Sequence, residues 1–284
     1  MSCLADRLTP DDAGIDPADG LPATLQDAIA AYGLRFFKLK LQGHAEADIE
    51  RLSRIAEVLE AQASDWRVTL DGNESFTDVE ALEDFWQRMA ATPALTTLRQ
   101  RTLLLEQPLP RRMALEQDLG MLDIDVPIIL DESDDHAEAL EEGLALGYRG
   151  ISSKACKGIY RSLHNAVRVA CEPQRLLLSG EDLTCQAGLA VQQDSLLAAS
   201  LGVTHIERNG HHYVDGFGVA PDEEARAFAA AHPGLYVERV ERAERSGRVH
   251  LDVRDGRLDL RSLHGPGFAS AALPSWRDLQ AMQP

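Results

Sequence analysis

The sequence predicts an α/β fold, a parallel sheet with helices outside that closes into a β/α barrel. Three observations carry this expectation. From residue 34 onward, short apolar runs alternate with stretches whose apolar residues recur at helical spacing, the order of a parallel sheet. The runs are continuously apolar, as strands covered on both faces must be. Five of them end on a charge: Phe36-Phe37-Lys38-Leu39-Lys40, Val68-Thr69-Leu70-Asp71, Leu103-Leu104-Leu105-Glu106, Ile128-Ile129-Leu130-Asp131 and Gly150-Ile151-Ser152-Ser153-Lys154. In a β/α barrel, functional groups sit at the C-terminal ends of strands, which is where these charges fall.

Taken in order, the strands are expected near 34–41, 67–71, 102–107, 127–132, 148–154, 176–181 and 204–207. Helical faces lie between them over 47–63 (Ile49, Leu52, Ile55, Leu59), 78–91 (Val79, Leu82, Phe85, Trp86, Met89), 136–146, 159–171 (Ile159, Leu163, Val167) and 186–201. Gly147 and Gly202 follow two of them as natural helix ends. A helix over 22–32 precedes the first strand. Seven strands leave a TIM-type (β/α)7β barrel one short. The missing strand would fall within residues 1–20, where Ser2 to Ala5 is its remnant or the chain is cut. Beyond the core barrel, about 34–210, residues 211–284 supply a helix over 223–232, a hairpin over 249–260 that turns at Asp255-Gly256, and a closing segment. The whole of 1–284 reads as one domain.

The bulk numbers set limits on function. With 284 residues, 44% of them hydrophobic, the chain can bury a large core. Its 46 acidic against 28 basic residues give a net charge of −18, which argues against nucleic acid or an anionic membrane as partner. Cys3, Cys156, Cys171 and Cys185 lack C-x-x-C spacing and read as reduced thiols. Neither a membrane span nor a signal peptide is legible, so a cytoplasmic protein is expected.

Asp71, Glu106 and Asp131 end three consecutive strands, where their carboxylates can converge. Each acid alone reads equally as a helix cap or the partner of a lysine. Together they repel unless a cation neutralises them, and hard oxygen donors favour Mg²⁺, with Mn²⁺ as the alternative. Lys38 and Lys40, two apart on one strand, face the same side. Mutual repulsion is expected to lower their proton affinity, suiting Lys40 to general-base work. Lys154, on a strand well round the barrel, would face a bound substrate from the other side. Glu207 ends the last strand. His211-His212 reads as a surface loop.

These pieces resemble the enolase superfamily, and within it the mandelate racemase and muconate-lactonising enzymes. Phe37-Lys38-Leu39-Lys40 is similar to the K-x-K strand, Leu70-Asp71-Gly72-Asn73 to the D-x-N strand, Leu105-Glu106-Gln107-Pro108 to the E-Q-P strand, and Leu130-Asp131-Glu132-Ser133 to the D-E-S strand. Lys154-Ala155-Cys156-Lys157 matches the sixth-strand lysine segment, and Gly265-Pro266-Gly267 the closing segment. The resemblance implies Asp71, Glu106 and Asp131 as ligands of Mg²⁺, Lys40 and Lys154 as the acid/base pair, and Lys38 as the electrostatic helper of Lys40. Asn73, in the D-x-N segment, is expected against the substrate, and Glu207, by its place at a strand end, either orients the substrate or is a plain strand-end charge. It implies a small carboxylate substrate that loses its α-proton to give an enolate. The outcome is then racemisation or epimerisation, β-elimination, or cycloisomerisation; a homo-oligomer is compatible with all of these. The chain departs from the pattern in lacking the N-terminal capping domain, in having Gly158-Ile159 where many members have Gly-Gly, and in the long step from Asp71 to Glu106. The missing cap keeps a second reading open, a barrel that binds metal without turnover and serves as a binding or assembly subunit.

Overall fold

Local signals set the first elements. Thr24 caps helix α1 (Leu25–Tyr32) by accepting the N–H of Asp27 at 3.1 Å, and Gly33 ends it at φ 62°, a left-handed conformation that suits glycine. Helices α2 (Ala45–Gln62) and α3 (Val79–Ala91) follow strands β1 (Phe36–Lys40) and β2 (Arg67–Asp71). Asp78 caps α3 through the N–H of Ala81 at 2.8 Å. The α3 face Leu82, Phe85, Trp86 and Met89 is buried at the spacing the sequence predicts. A short α4 (Thr96–Gln100) precedes β3 (Thr102–Glu106), so the long step from Asp71 to Glu106 holds two helices. Then come α5 (Arg111–Ala114), β4 (Ile128–Ile129), α6 (Ala139–Ala145), β5 (Gly150–Ser153), α7 (Ile159–Cys171), β6 (Leu177–Gly180), α8 (Leu189–Ser200), α9 (Gly210–Tyr213), α10 (Asp222–Ala231), β7 (Tyr236–Arg239) and β8 (Arg248–Leu251). The computed structural model describes residues 7–12, 21–181, 185–239, 248–265 and 269–275. Ser2 to Ala5, the expected remnant of a first strand, and Pro266-Gly267 lie outside these residues.

Strands β1, β2, β3 and β4 form one parallel sheet in that order, and β5 pairs with β6, also in parallel. Three backbone bonds join the two groups: Arg149 N–H to the Ile128 carbonyl at 2.8 Å, Leu130 N–H to that of Gly150 at 3.1 Å, and Ser152 N–H to that of Leu130 at 2.7 Å. The helices cover one face, burying Phe37, Leu39, Val68, Leu70 and Leu105. The other face carries the charges.

Three expectations need correction. Residues 204–207 do not form a seventh strand. Among the described residues, no backbone bond ties this segment to β6 or β1, and no ladder joins β6 to β1. Side chains hold it instead: the His205 ring stacks on Phe36 at 4.7 Å between centroids, and Glu207 accepts from Asn209 at 2.8 Å. The hairpin is not continuous over 249–260. The ladder runs from β8 back to β7, and Asp255-Gly256 forms a separate tight turn bridged only by Arg254 and Arg257. His211 lies in the one-turn helix α9, edge-on to Tyr32 at 4.9 Å, rather than in a surface loop. No helix among the described residues is long and apolar enough to cross a membrane.

Candidate active site

Register explains why the charges meet. Lys40 is paired with Asp71, Asp71 with Glu106, and Glu106 with Ile129 along successive parallel strands. Asp131 lies two residues past Ile129, so the period of two returns it to the same face. Ser152 is paired with Ser179, and two residues on from each lie Lys154 and Glu181. Backbone contacts fix the strand ends. The Gly72 N–H donates to the Glu106 carbonyl at 2.8 Å, and a Cβ at Gly72 would stand 2.5 Å from the Pro108 Cα, so this close approach needs glycine. Gln107, left-handed at φ 33°, staples β3 to the end of β4: its Oε1 accepts from Asp131 N–H at 2.8 Å and Ser133 N–H at 3.1 Å, while its amide donates to Ser133 Oγ at 2.8 Å.

Lys38 is the hub of the cluster. Its buried Nζ lies 2.8 Å from Asp71, 3.0 Å from Glu106, 2.8 Å from Glu181 and 3.5 Å from Glu207. Lys40 donates to Asp71 at 2.6 Å and stands 3.8 Å from Glu181. Lys154 meets Asp131 at 2.6 Å and Glu181 at 3.0 Å. Lys157 meets Asp131 at 3.1 Å and donates to the carbonyls of Asp131 and Ser152, both at 2.8 Å. The structure thus brings Lys38, Lys40, Asp71, Glu106, Asp131, Lys154 and Glu207 to one end of the strands. It places Asn73 differently: its N–H turns back to Asp71 at 2.9 Å, and its side-chain amide donates to Glu132 at 3.2 Å.

The three carboxylates whose oxygens lie within 4.8 Å of one another are Asp71, Glu106 and Glu181, not Asp71, Glu106 and Asp131. Asp131 is drawn to the two lysines beside it. Glu181 carries a weaker signal in the sequence than the other acids, because its run, Leu176-Leu177-Leu178-Ser179-Gly180, ends on glycine before the charge. Lys157 carried no signal beyond its place after Lys154.

Electrostatics overturn one expectation. Burial alone would depress the Lys38 ammonium, but Glu106, Asp71, Glu181 and Glu207 outweigh it and raise its pKa well above the ordinary value. For Lys154, burial is likewise outweighed by Asp131 and Glu181, and its pKa is raised. Lysine repulsion therefore does not govern Lys38, because carboxylates surround it. Glu106 moves the opposite way from an ion-paired acid: burial raises its pKa, and the charges of Asp71, Asp131 and Glu181 raise it further against Lys38. For Glu181, burial is outweighed by Lys38, Lys40 and Lys154, which hold it at about 2.

The cluster has the donor chemistry for a hard divalent cation. Glu106 Oε1 and Glu207 Oε2 are buried without a hydrogen-bond partner, and the Asp131 oxygens meet their lysines at ion-pair distance without hydrogen-bond alignment. Buried carboxylate oxygens left in this state are costly unless a cation completes them.

Comparisons with known proteins bear on the fold and the family. No curated protein matches the chain. Among solved structures, the chain is similar to a mandelate racemase/muconate lactonizing protein from Herpetosiphon aurantiacus at 22% identity and TM-score 0.52, covering 65% of this chain and 50% of that one. It is similar to the substrate-liganded L-Ala-D/L-Glu epimerase from Bacillus subtilis at 17% identity and TM-score 0.54, covering 81% and 56%. A dipeptide epimerase from Cytophaga hutchinsonii, complexed with Mg and the dipeptide D-Ala-L-Val, matches at 19% identity and TM-score 0.50, covering 69% and 50%. The chain spans about half the length of these structures. A family model described as enolase C-terminal domain-like matches residues 20–269. With carboxylates and lysines gathered at the strand ends of a parallel α/β sheet, and that match covering most of its length, the chain belongs to the enolase C-terminal domain-like family of the enolase superfamily.

Proposed function

We propose that this chain is a β/α-barrel-type domain that removes the proton α to the carboxylate of a small substrate, with Mg²⁺ as cofactor. Asp71, Glu106 and Asp131 hold the cation, with Glu181 close enough to join them. When bound, it supplies positive charge that stabilises an enolate. The protein's own residues do the rest. Lys40, at the end of β1, and Lys154, just past the end of β5, stand on either side of the carboxylates, and each serves one face of the α-carbon by taking or returning a proton at Nζ. Lys38 holds Asp71 and Glu106 in place and biases Lys40 electrostatically. Glu207 faces the substrate from the far side of Lys38.

The observation that carries the reading is the position of Glu181 between the two lysines, its oxygens 3.8 Å from Lys40 and 3.0 Å from Lys154. A carboxyl group fits between these ammonium groups, and a substrate carboxylate has the same size and charge. The α-proton chemistry follows the family and the epimerases among its structural relatives, one of them complexed with Mg and a dipeptide.

The test is α-proton exchange in deuterated water with Mg²⁺ on small carboxylates, dipeptides such as L-Ala-L-Glu included. Lys154→Ala is expected to retain exchange of one configuration and lose the other, and Lys40→Ala to show the reverse preference. Undiminished exchange of both configurations in either variant counts against the assignment. Mg²⁺ at about a hundred times its dissociation constant is expected to stabilise the fold by ~2.7 kcal/mol. That shift should vanish in Asp71→Asn and Glu106→Gln. Mg²⁺ stabilisation without exchange on any substrate would favour the second reading, binding without turnover, which the raised Lys38 and Lys154 also suit because both ammonium groups stay protonated.

A further inference from the structure

We infer that a groove at the N-terminal ends of β1 and β2 binds an amphipathic organic anion, an apolar acyl or aryl body with one terminal carboxylate. This site lies at the opposite strand ends from the lysine–carboxylate cluster and does not depend on the activity proposed for it. The groove has a volume of about 700 Å³, within the roughly 300–1,000 Å³ of small-molecule sites. Its walls are the residues entering β1 and β2, the C-terminal half of α8, the segment 203–208 and the turn around Gly256.

Its charge runs against that of the molecule. The chain carries 28 basic against 46 acidic residues. The groove lining carries Arg35, Arg67, Arg208 and Arg257 against Asp65 and Asp255. Two of the arginines are engaged: Arg67 meets Asp65 at 3.1 Å, and Arg208 meets Asp194 at 2.5 Å and Ser195 at 2.9 Å. Among the described residues, Arg35 and Arg257 have no ion-pair partner.

The fold brings the backbone of these two residues together at the groove. Asp255 at φ 50° and Gly256 at φ 68° form a left-handed turn whose Gly256 N–H donates to the Tyr32 carbonyl at 2.7 Å. A Cβ at Gly256 would stand 2.9 Å from the Gly33 carbonyl and 3.5 Å from the Arg35 nitrogen, so the turn lies directly on the segment that leads through Arg35 into β1. Two guanidinium groups on adjoining backbone repel each other until an anion lies between them, and guanidinium matches carboxylate in a bidentate fork. Beside them is an apolar floor. Phe36 is 48% exposed, an unusual state for a strand phenylalanine, and stacks on His205, with Val203 and Ile206 alongside. Apolar walls with a few convergent charges suit a ligand that has both parts.

The test is calorimetric titration of the whole chain with naphthalene-1-carboxylate and, in parallel, with 1-naphthylmethanol. The acid is expected to bind one to one, at least tenfold tighter than the alcohol, and more weakly as KCl rises. Arg35→Gln combined with Arg257→Gln should weaken the acid at least tenfold, while Lys154→Ala leaves its affinity unchanged. Should the double variant fail to fold, Arg257→Gln alone and the salt dependence carry the same decision. Equal affinity for acid and alcohol, undiminished binding in the arginine variants, loss of binding in Lys154→Ala, or no binding of the acid would each overturn the assignment.

Discussion

The front of the sheet, β1 to β4 with α2 and α3, and the back, β5 and β6 with α7, are built on different terms. In front, four strands pair in parallel and the helices bury their apolar faces; Leu82, Phe85 and Met89 of α3 are fully covered. At the back, two strands pair, and α7 is turned the other way. Ile159, Tyr160, Leu163 and Val167 face solvent, while Ser162 and Asn165 are buried. Backbone bonds join the halves along β4 and β5. Across β6 and β1, among the described residues, side chains do so, above all Lys38 bridging Asp71 and Glu106 to Glu181. The candidate site therefore sits on a seam closed by charge, with one rigid wall and one that depends on ion pairing.

The largest expected effect comes from breaking that seam. Lys38→Met leaves buried carboxylates without their cation, and removing one partner of a buried ion pair costs about 3–5 kcal/mol. Denaturant melts in EDTA should show a loss of this size, and Mg²⁺ should recover part of it if a divalent cation can replace the ammonium. A loss below about 1 kcal/mol would mean that the seam is held by something other than Lys38.

The next contrast sets the two helices against each other. Phe85→Ala is expected to cost about 3–4 kcal/mol through the cavity it leaves. Leu163→Ala, on the exposed face of α7, should change stability by no more than about 0.5 kcal/mol. A large loss at Leu163 would show that its face is covered in solution.

A smaller effect is the acid limb. Glu181 is held at about 2 in the fold against an ordinary 4.5. An acid with a lowered folded pKa contributes stability that is complete above about pH 4.5 and is lost as pH falls toward 2. That contribution amounts to at most about 2–3 kcal/mol. Glu106, with its pKa raised, acts in the opposite sense: its contribution is complete below about 4.5 and declines as pH rises. Comparing stability from pH 5 to pH 2 in the wild type and Glu181→Gln should show a flatter acid limb in the variant. Identical limbs would show that Lys38, Lys40 and Lys154 do not hold that carboxylate charged.

The sequence by itself determined the order of the elements, the parallel strands and the helix over 159–171, because apolar period and chain order are local properties. It also determined which end of the sheet carries the charges, since five of the strand runs end on one. It could not determine that α7 faces outward: period selects a helix but not the side that a neighbour covers, and the covering surface comes from distant residues. Nor could it show that 204–207 would lie between two strand edges without joining a ladder, because pairing depends on backbone distances that the whole sheet sets. The grouping of Glu181, rather than Asp131, with Asp71 and Glu106 was decided last, by tertiary structure. Lys154 and Lys157 lie beside Asp131 and attract it, whereas Lys38 draws Glu181 across the seam, and Coulomb attraction at about 3 Å outweighs proximity along the chain.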